Sequence, residues 1–141
     1  MLGTTFPFVN ITAGFGSFAT AIPDLASSIL NLPLRNQDNF GSVYGYKGAL
    51  HDHVVTIRNI RESPKAGQPL ITRHSAEYVL TQRPTIVAGV ATPAIPYVAG
   101  SYVRLADTGT PLTLAGMLAE LNAGLVISSG ATLLKMMNFE S

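Results

Sequence analysis

The stretch from His53 to Asp107 constrains this chain most. It holds three runs, HVVTIRNIRES, LITRHSAEYVLTQ and YVAGSYVRLAD, joined by a turn PKAGQ and an apolar loop TIVAGVATPAIP. Each run alternates and is rich in Val, Ile, Tyr and Thr, the residues that pack well on a pleated, half-buried surface. Pro64, Gly67, Gln68, Pro84, Pro93 and Pro96 fall between the runs or at their ends, where a missing amide donor interrupts no ladder. Three adjacent strands are the simplest reading. Because side chains on a strand alternate between faces, Val54, Thr56, Arg58 and Ile60 share one face of the first run. Arg73, Ser75 and Glu77 share a face of the second, and Tyr102 and Arg104 a face of the third.

Charge is concentrated in the same part of the chain. From Lys47 to Arg104 there are seven bases against three acids, net +4, while the remainder has two bases against five acids, net −3, giving the formal +1 of the whole. A basic sheet joined to an acidic remainder attracts a polyanion whatever the total charge. Thr56, Arg58, Arg73, Ser75, Tyr102 and Arg104 together make a surface of hydroxyls, guanidinium groups and one aromatic ring. Guanidinium groups bind phosphates, and a tyrosine stacks on an unpaired base, as in the reading of single-stranded or looped RNA. The alternative is a solvated sheet face whose Arg and Lys keep the edge soluble.

The remaining chain reads as flanking elements. Residues 4–21 predict an N-terminal β-hairpin turning near Ala13-Gly14, residues 22–40 a connector, and GSVYGYKGA, residues 41–49, a further strand with Gly45 as a bulge marker. After Asp107 the period changes. Thr110 caps and Pro111 opens a helix running to Leu125, Gly124 ends it, and a second helix spans Ser129 to Phe139. Strands first and helices last predict an α+β fold with an antiparallel sheet, in one domain over residues 1–141. Hydrophobic residues make up 47% of the chain and charged residues 12%. So apolar a chain of this length predicts a partner subunit over part of its surface, with helices exchanged across a dimer.

Other chemistries have little support. Without cysteine there is no disulfide framework and no Cys-based zinc site. His51, His53, His74 and Asp52 form the only grouping suited to metal or acid–base work, yet no zinc-binding helix motif, nucleophile elbow or phosphate-binding glycine loop accompanies them. No cofactor is expected, and an enzyme is the minority reading, a small metal-dependent hydrolase being its form. The first 34 residues lack Lys and Arg and are interrupted by polar residues and prolines; neither a signal peptide nor a membrane span is expected, and the cytoplasm is.

The stretch TIRNIRESPKAGQPLITRHSAEY resembles the central hairpin of the coat proteins of single-stranded RNA bacteriophages, the levivirus-type family. A short apolar loop ending at Pro96 and GSYVRLADTGTP, resembling the family's last strand with its Ser-Tyr pair, continue the likeness, which covers residues 41–141. The resemblance implies a capsid protein whose dimer joins two sheets edge to edge, each subunit's helices lying over its partner's sheet. Dimers then build an icosahedral shell around genomic RNA in the cytoplasm of a bacterial host. It implies RNA contacts at Thr56, Arg58, Arg73, Ser75, Tyr102 and Arg104, with Tyr102 the base-stacking residue. Better-known members also bind an RNA hairpin and repress translation. Arg73 and Arg104 stand where some members carry smaller uncharged residues. The loop 85–96, exposing Ile86, Val87, Val90 and Ile95, would meet its copies at the symmetry axes of the shell. A cellular dimeric RNA-binding module that does not assemble is the alternative.

Overall fold

Strand β4 (His51–Glu62) and strand β5 (Ile71–Gln82) pair antiparallel over their whole lengths, from His51 opposite Gln82 to Glu62 opposite Ile71. Between them the chain turns through Gly67, whose φ of 77° suits a residue without Cβ, closed by the Gln68 amide donating to the Lys65 carbonyl at 2.9 Å. Strand β8 (Ile95–Ala106) pairs with β5 in the same complete fashion, Ile71 facing Ala106 and Gln82 facing Ile95. The three alternating runs thus form a meander, as their period-2 pattern predicts. The computed structural model describes residues 3–9, 29–63, 65–106 and 109–138.

Strands β1 (Thr5–Val9), β2 (Ile29–Asp38) and β3 (Gly41–Lys47) extend the sheet in the order β1-β2-β3-β4-β5-β8. The connector expected over residues 22–40 is in its second half strand β2. Pro33 in ILNLPLRNQD obscures it, because proline argues against an inner strand. The expected hairpin over residues 4–21 keeps its first strand as β1; its turn and return strand lie outside the described residues. Strand β2 carries an irregularity at Arg35. Leu34 faces Tyr44 and Asn36 faces Val43, so Arg35 is the extra residue of a β-bulge. Gly45, singled out in the sequence, lies on the facing strand and not in the bulge itself.

The connection between β5 and β8 is not an irregular loop. Strands β6 (Ile86–Val87) and β7 (Val90–Ala91) form a small hairpin around Ala88 and Gly89, both at positive φ (51° and 80°), the backbone of a tight two-residue turn. Thr85 and Thr92 close its base, their hydroxyls 2.8 Å apart. Ile86, Val87 and Val90 are 78%, 65% and 68% exposed on this finger, so it does not fold back on the chain's own core.

Directly opposed residues in antiparallel strands share a face, so the register sorts the sheet. One face carries Tyr44, Val55 and His53 together with Ser42, all nearly inaccessible, and Leu32 is equally buried. His53 Nδ1 lies 2.9 Å from the Tyr78 hydroxyl, and the Tyr44 hydroxyl donates to the Gly3 carbonyl at 3.0 Å. These bonds keep two buried polar groups satisfied.

The C-terminal region is one helix, α1 (Pro111–Met137), where two were expected. Thr110 accepts from the Leu114 amide and Pro111 takes the first helical position, as the sequence predicts. Gly124 does not end the helix. A single interior glycine costs about 1 kcal/mol relative to alanine, which neighbouring good helix formers override. The chain divides into two compact units, one comprising residues 1–8 and 31–108, the other residues 9–30 and 109–141, and α1 belongs to the second. Leu112, Met117 and Leu121 on α1 are 82%, 62% and 61% exposed within a single chain.

Candidate nucleic-acid interface

The face opposite the buried one carries Thr56, Arg58, Arg73, Ser75, Tyr102 and Arg104. Arg58 faces Ser75 across β4 and β5, Ser75 faces Tyr102 across β5 and β8, and Arg73 faces Arg104 one step along the same ladder. Thr56 lies opposite Glu77, which in turn faces Gly100. Alternation in the sequence therefore brings together what it predicts. Tyr102 is 63% exposed, its ring available to a flat partner. Beside it is an open depression of about 240 Å³ lined by Arg73, Ser75, Glu77, Gly100 and Tyr102. Glycine at position 100 keeps the floor low, since a Cβ there would come within 3.0 Å of the Ala76 carbonyl oxygen.

The electrostatics differ from the charge count. Arg58 is paired with Asp38 at 2.5 Å, and Arg104 donates from Nε and Nη2 to Glu62 at 3.1 and 2.5 Å. The backbone amide of Phe40, followed by the Arg58 guanidinium, holds the Asp38 carboxyl below its usual range, while hydrogen bonding to Glu62 raises Arg104 above its own. Of the three expected arginines, Arg73 alone has no ion-pair partner among the described residues. Arg61 lies on the other face, opposite Thr72, and Lys65 sits in the turn.

A second group of cations, not singled out in the sequence, occupies the far end of the same face. Lys47 lies opposite Asp52, and Arg83 bonds the Asp52 carboxylate from Nε at 2.9 Å and again from Nη2. Arg35, at the bulge, lies across Gly45 so closely that a Cβ at position 45 would be 2.5 Å from its Nε. Arg83 first, then the charges of Lys47 and Arg35, hold the Asp52 carboxyl below its usual range. Gly45, expected to mark a bulge in its own strand, was the only signal available, and strand alternation cannot say where a bulged residue points.

The histidines do not converge. His74 lies opposite Asn59, whose Oδ1 is 2.7 Å from His74 Nδ1, six residues along β4 from His53 and so about 20 Å away. Among the described residues no group of His, Asp or Glu suits a metal ion.

Residues 19–98 match the family model described as phage phiCb5, coat protein. This chain belongs to that family of phage coat proteins. It is a structural component of a virion capsid and not an enzyme, and the reading as a non-assembling cellular module drops out. Comparison with curated proteins finds no match. Among solved structures, the virus-like particle of Beihai levi-like virus 21 is similar in fold, with TM-score 0.55 and 18% identity over 85% of this chain and 91% of that one.

Proposed function

We propose that the coat protein, acting as one domain over its whole length, forms dimers that close an icosahedral shell around single-stranded genomic RNA, with RNA on the face carrying Tyr102. The observation that carries the RNA reading is the register, which gathers hydroxyls, guanidinium groups and an exposed tyrosine beside an open depression on the face away from the buried residues. The dimer reading rests on β8. Among the described residues it ends the sheet as a twelve-residue edge strand, and a long unpaired edge invites a second strand. Pairing of β8 with its copy joins two sheets into one, and exchanged helices would cover the apolar side chains that α1 leaves exposed. The finger of β6 and β7 then serves contacts between dimers. Assembly takes place in the cytoplasm of a bacterial host.

Electron microscopy of the purified recombinant protein, with nucleic acid content read from the particles, tests this directly. Closed particles containing RNA are expected; discrete dimers, or shells that never retain RNA, would overturn the corresponding part. Replacing residues 88–94 by a tight glycine turn should leave dimers intact and prevent or alter closure. Tyr102→Ala should weaken RNA binding by about 1–3 kcal/mol with little change in salt dependence, because stacking releases no counterions. Repression of translation through an RNA hairpin is the second function implied by the resemblance. Arg73 and Arg104 favour contact with phosphates, which carries no sequence information by itself.

A further inference from the structure

We infer that the principal phosphate-binding site of this sheet face is the cation cluster formed by Arg35, Lys47 and Arg83 at the β2–β3–β4 end, not the arginines around Tyr102. The inference rests on the RNA reading above and deepens it.

Three observations combine. First, among the described residues unpaired cations stand closest together here. Arg58 and Arg104 each have a carboxylate in contact and Arg73 shares its strand face with Glu77, whereas Arg35 and Lys47 lie near Asp52, whose carboxylate is already held by Arg83. Arg35 and Lys47 are exposed and make no ion pair among the described residues. Second, the backbone is shaped for it. A bulge adds a residue to one strand and re-aims a side chain. At Arg35 it lays the guanidinium over Gly45, a position on the Tyr102 face since Gly45 pairs with Val54. Any side chain at position 45 would displace it. Third, Asp52 has a positioning role. It accepts from both Nε and Nη2 of Arg83 at Oδ1, which keeps that guanidinium beside Asp52 and occupies the carboxylate nearest Arg35 and Lys47. A pair of exposed cations over a glycine floor takes the phosphodiester of a single strand, whose next bases run along the face toward Tyr102.

The full-length protein is titrated with a uridine oligonucleotide over a series of salt concentrations. Each lost phosphate contact lowers the slope of log affinity against log salt by about 0.7 for a single strand. The double variant Arg35→Gln/Lys47→Gln should lose about 1.4 from the slope, whereas Arg61→Gln, on the opposite face, should change it little. Gly45→Ala keeps every charge but pushes Arg35 aside, and should weaken binding less than the double variant. In the unaltered protein, an arginine-selective dicarbonyl reagent should modify Arg35 freely without RNA and slowly with it, a readout that needs no variant to fold. Unaltered affinity and slope in the double variant, or unprotected Arg35 in an RNA-bound protein, would overturn the inference while leaving the RNA reading intact. Failure of the wild-type protein to bind the oligonucleotide at all would overturn both. Competition by polyglutamate as strong as that of RNA of equal charge would reassign the cluster to an acidic protein segment.

Discussion

Two halves of one sheet face differ in cover. Toward β2, β3 and β4, Leu32, Tyr44, Val55 and His53 are almost inaccessible within a single chain. On the β8 side of the face that carries Tyr44 and His53, Ile95 and Tyr97 are 40% and 56% exposed. The composition is apolar in both places, so sequence hydrophobicity does not separate them. In the proposed dimer a second copy would cover the open half beside the β8 edge, and burying such surface contributes roughly 25 cal/mol per Å².

The sharpest way to break this comparison is Leu121→Asp on α1. If the exposed stripe is covered by a partner, the substitution buries an unpaired charge, costs several kcal/mol and abolishes dimers in sedimentation; intact dimers would remove the exchanged helices. Next in size is Leu32→Ala in the closed half. It should lower stability by about 2–5 kcal/mol in urea unfolding, whatever the state of association. Tyr97→Ala in the open half should change the stability of dissociated subunits by no more than about 0.5 kcal/mol, yet weaken the dimer by more than about 1 kcal/mol. Equal effects on both would mean that the two halves are not different in kind.

Acid provides the smallest and most selective probe, because it acts on the face opposite the buried one. Asp38 and Asp52 titrate below 3.8 in the folded protein and near 3.8 when unfolded. Their contribution is present above that value and lost as pH falls through the lowered folded values. Urea midpoints should therefore decline slightly below about pH 4, less so in Asp52→Asn. A decline of the same size in that variant would show that Asp52 contributes nothing.

Period-2 alternation made β4, β5 and β8 legible, and with them the grouping of Arg58, Arg73 and Tyr102, because residue spacing alone decides which face a strand residue takes. It could not reveal that Asp38, from a strand twenty residues upstream, neutralises Arg58, since partners across a sheet depend on register. Nor could it find Arg35, where the bulge breaks the alternation that the reading relies on. The single helix is hidden in the sequence for a different reason. Gly124 and the serines after it weaken a helix locally, and local preference is overridden once the flanking turns are formed.

The finger between β5 and β8 also bears on the order in which the sheet is made. Ala88 and Gly89 set a tight turn, Thr85 and Thr92 clamp its base, and the first rung beyond is Gln82 opposite Ile95. Once the finger exists, the loop still to be closed for that rung is almost gone, so little further closure entropy opposes it. Pairing can then advance rung by rung toward Ile71 and Ala106, like a zip drawn from its tip. The segment proposed to meet neighbouring dimers is thus also suited to be the starter of the strand proposed to meet its copy, and on that proposal a change at Ala88 or Gly89 would be felt first as slower folding and only afterwards as a defective shell.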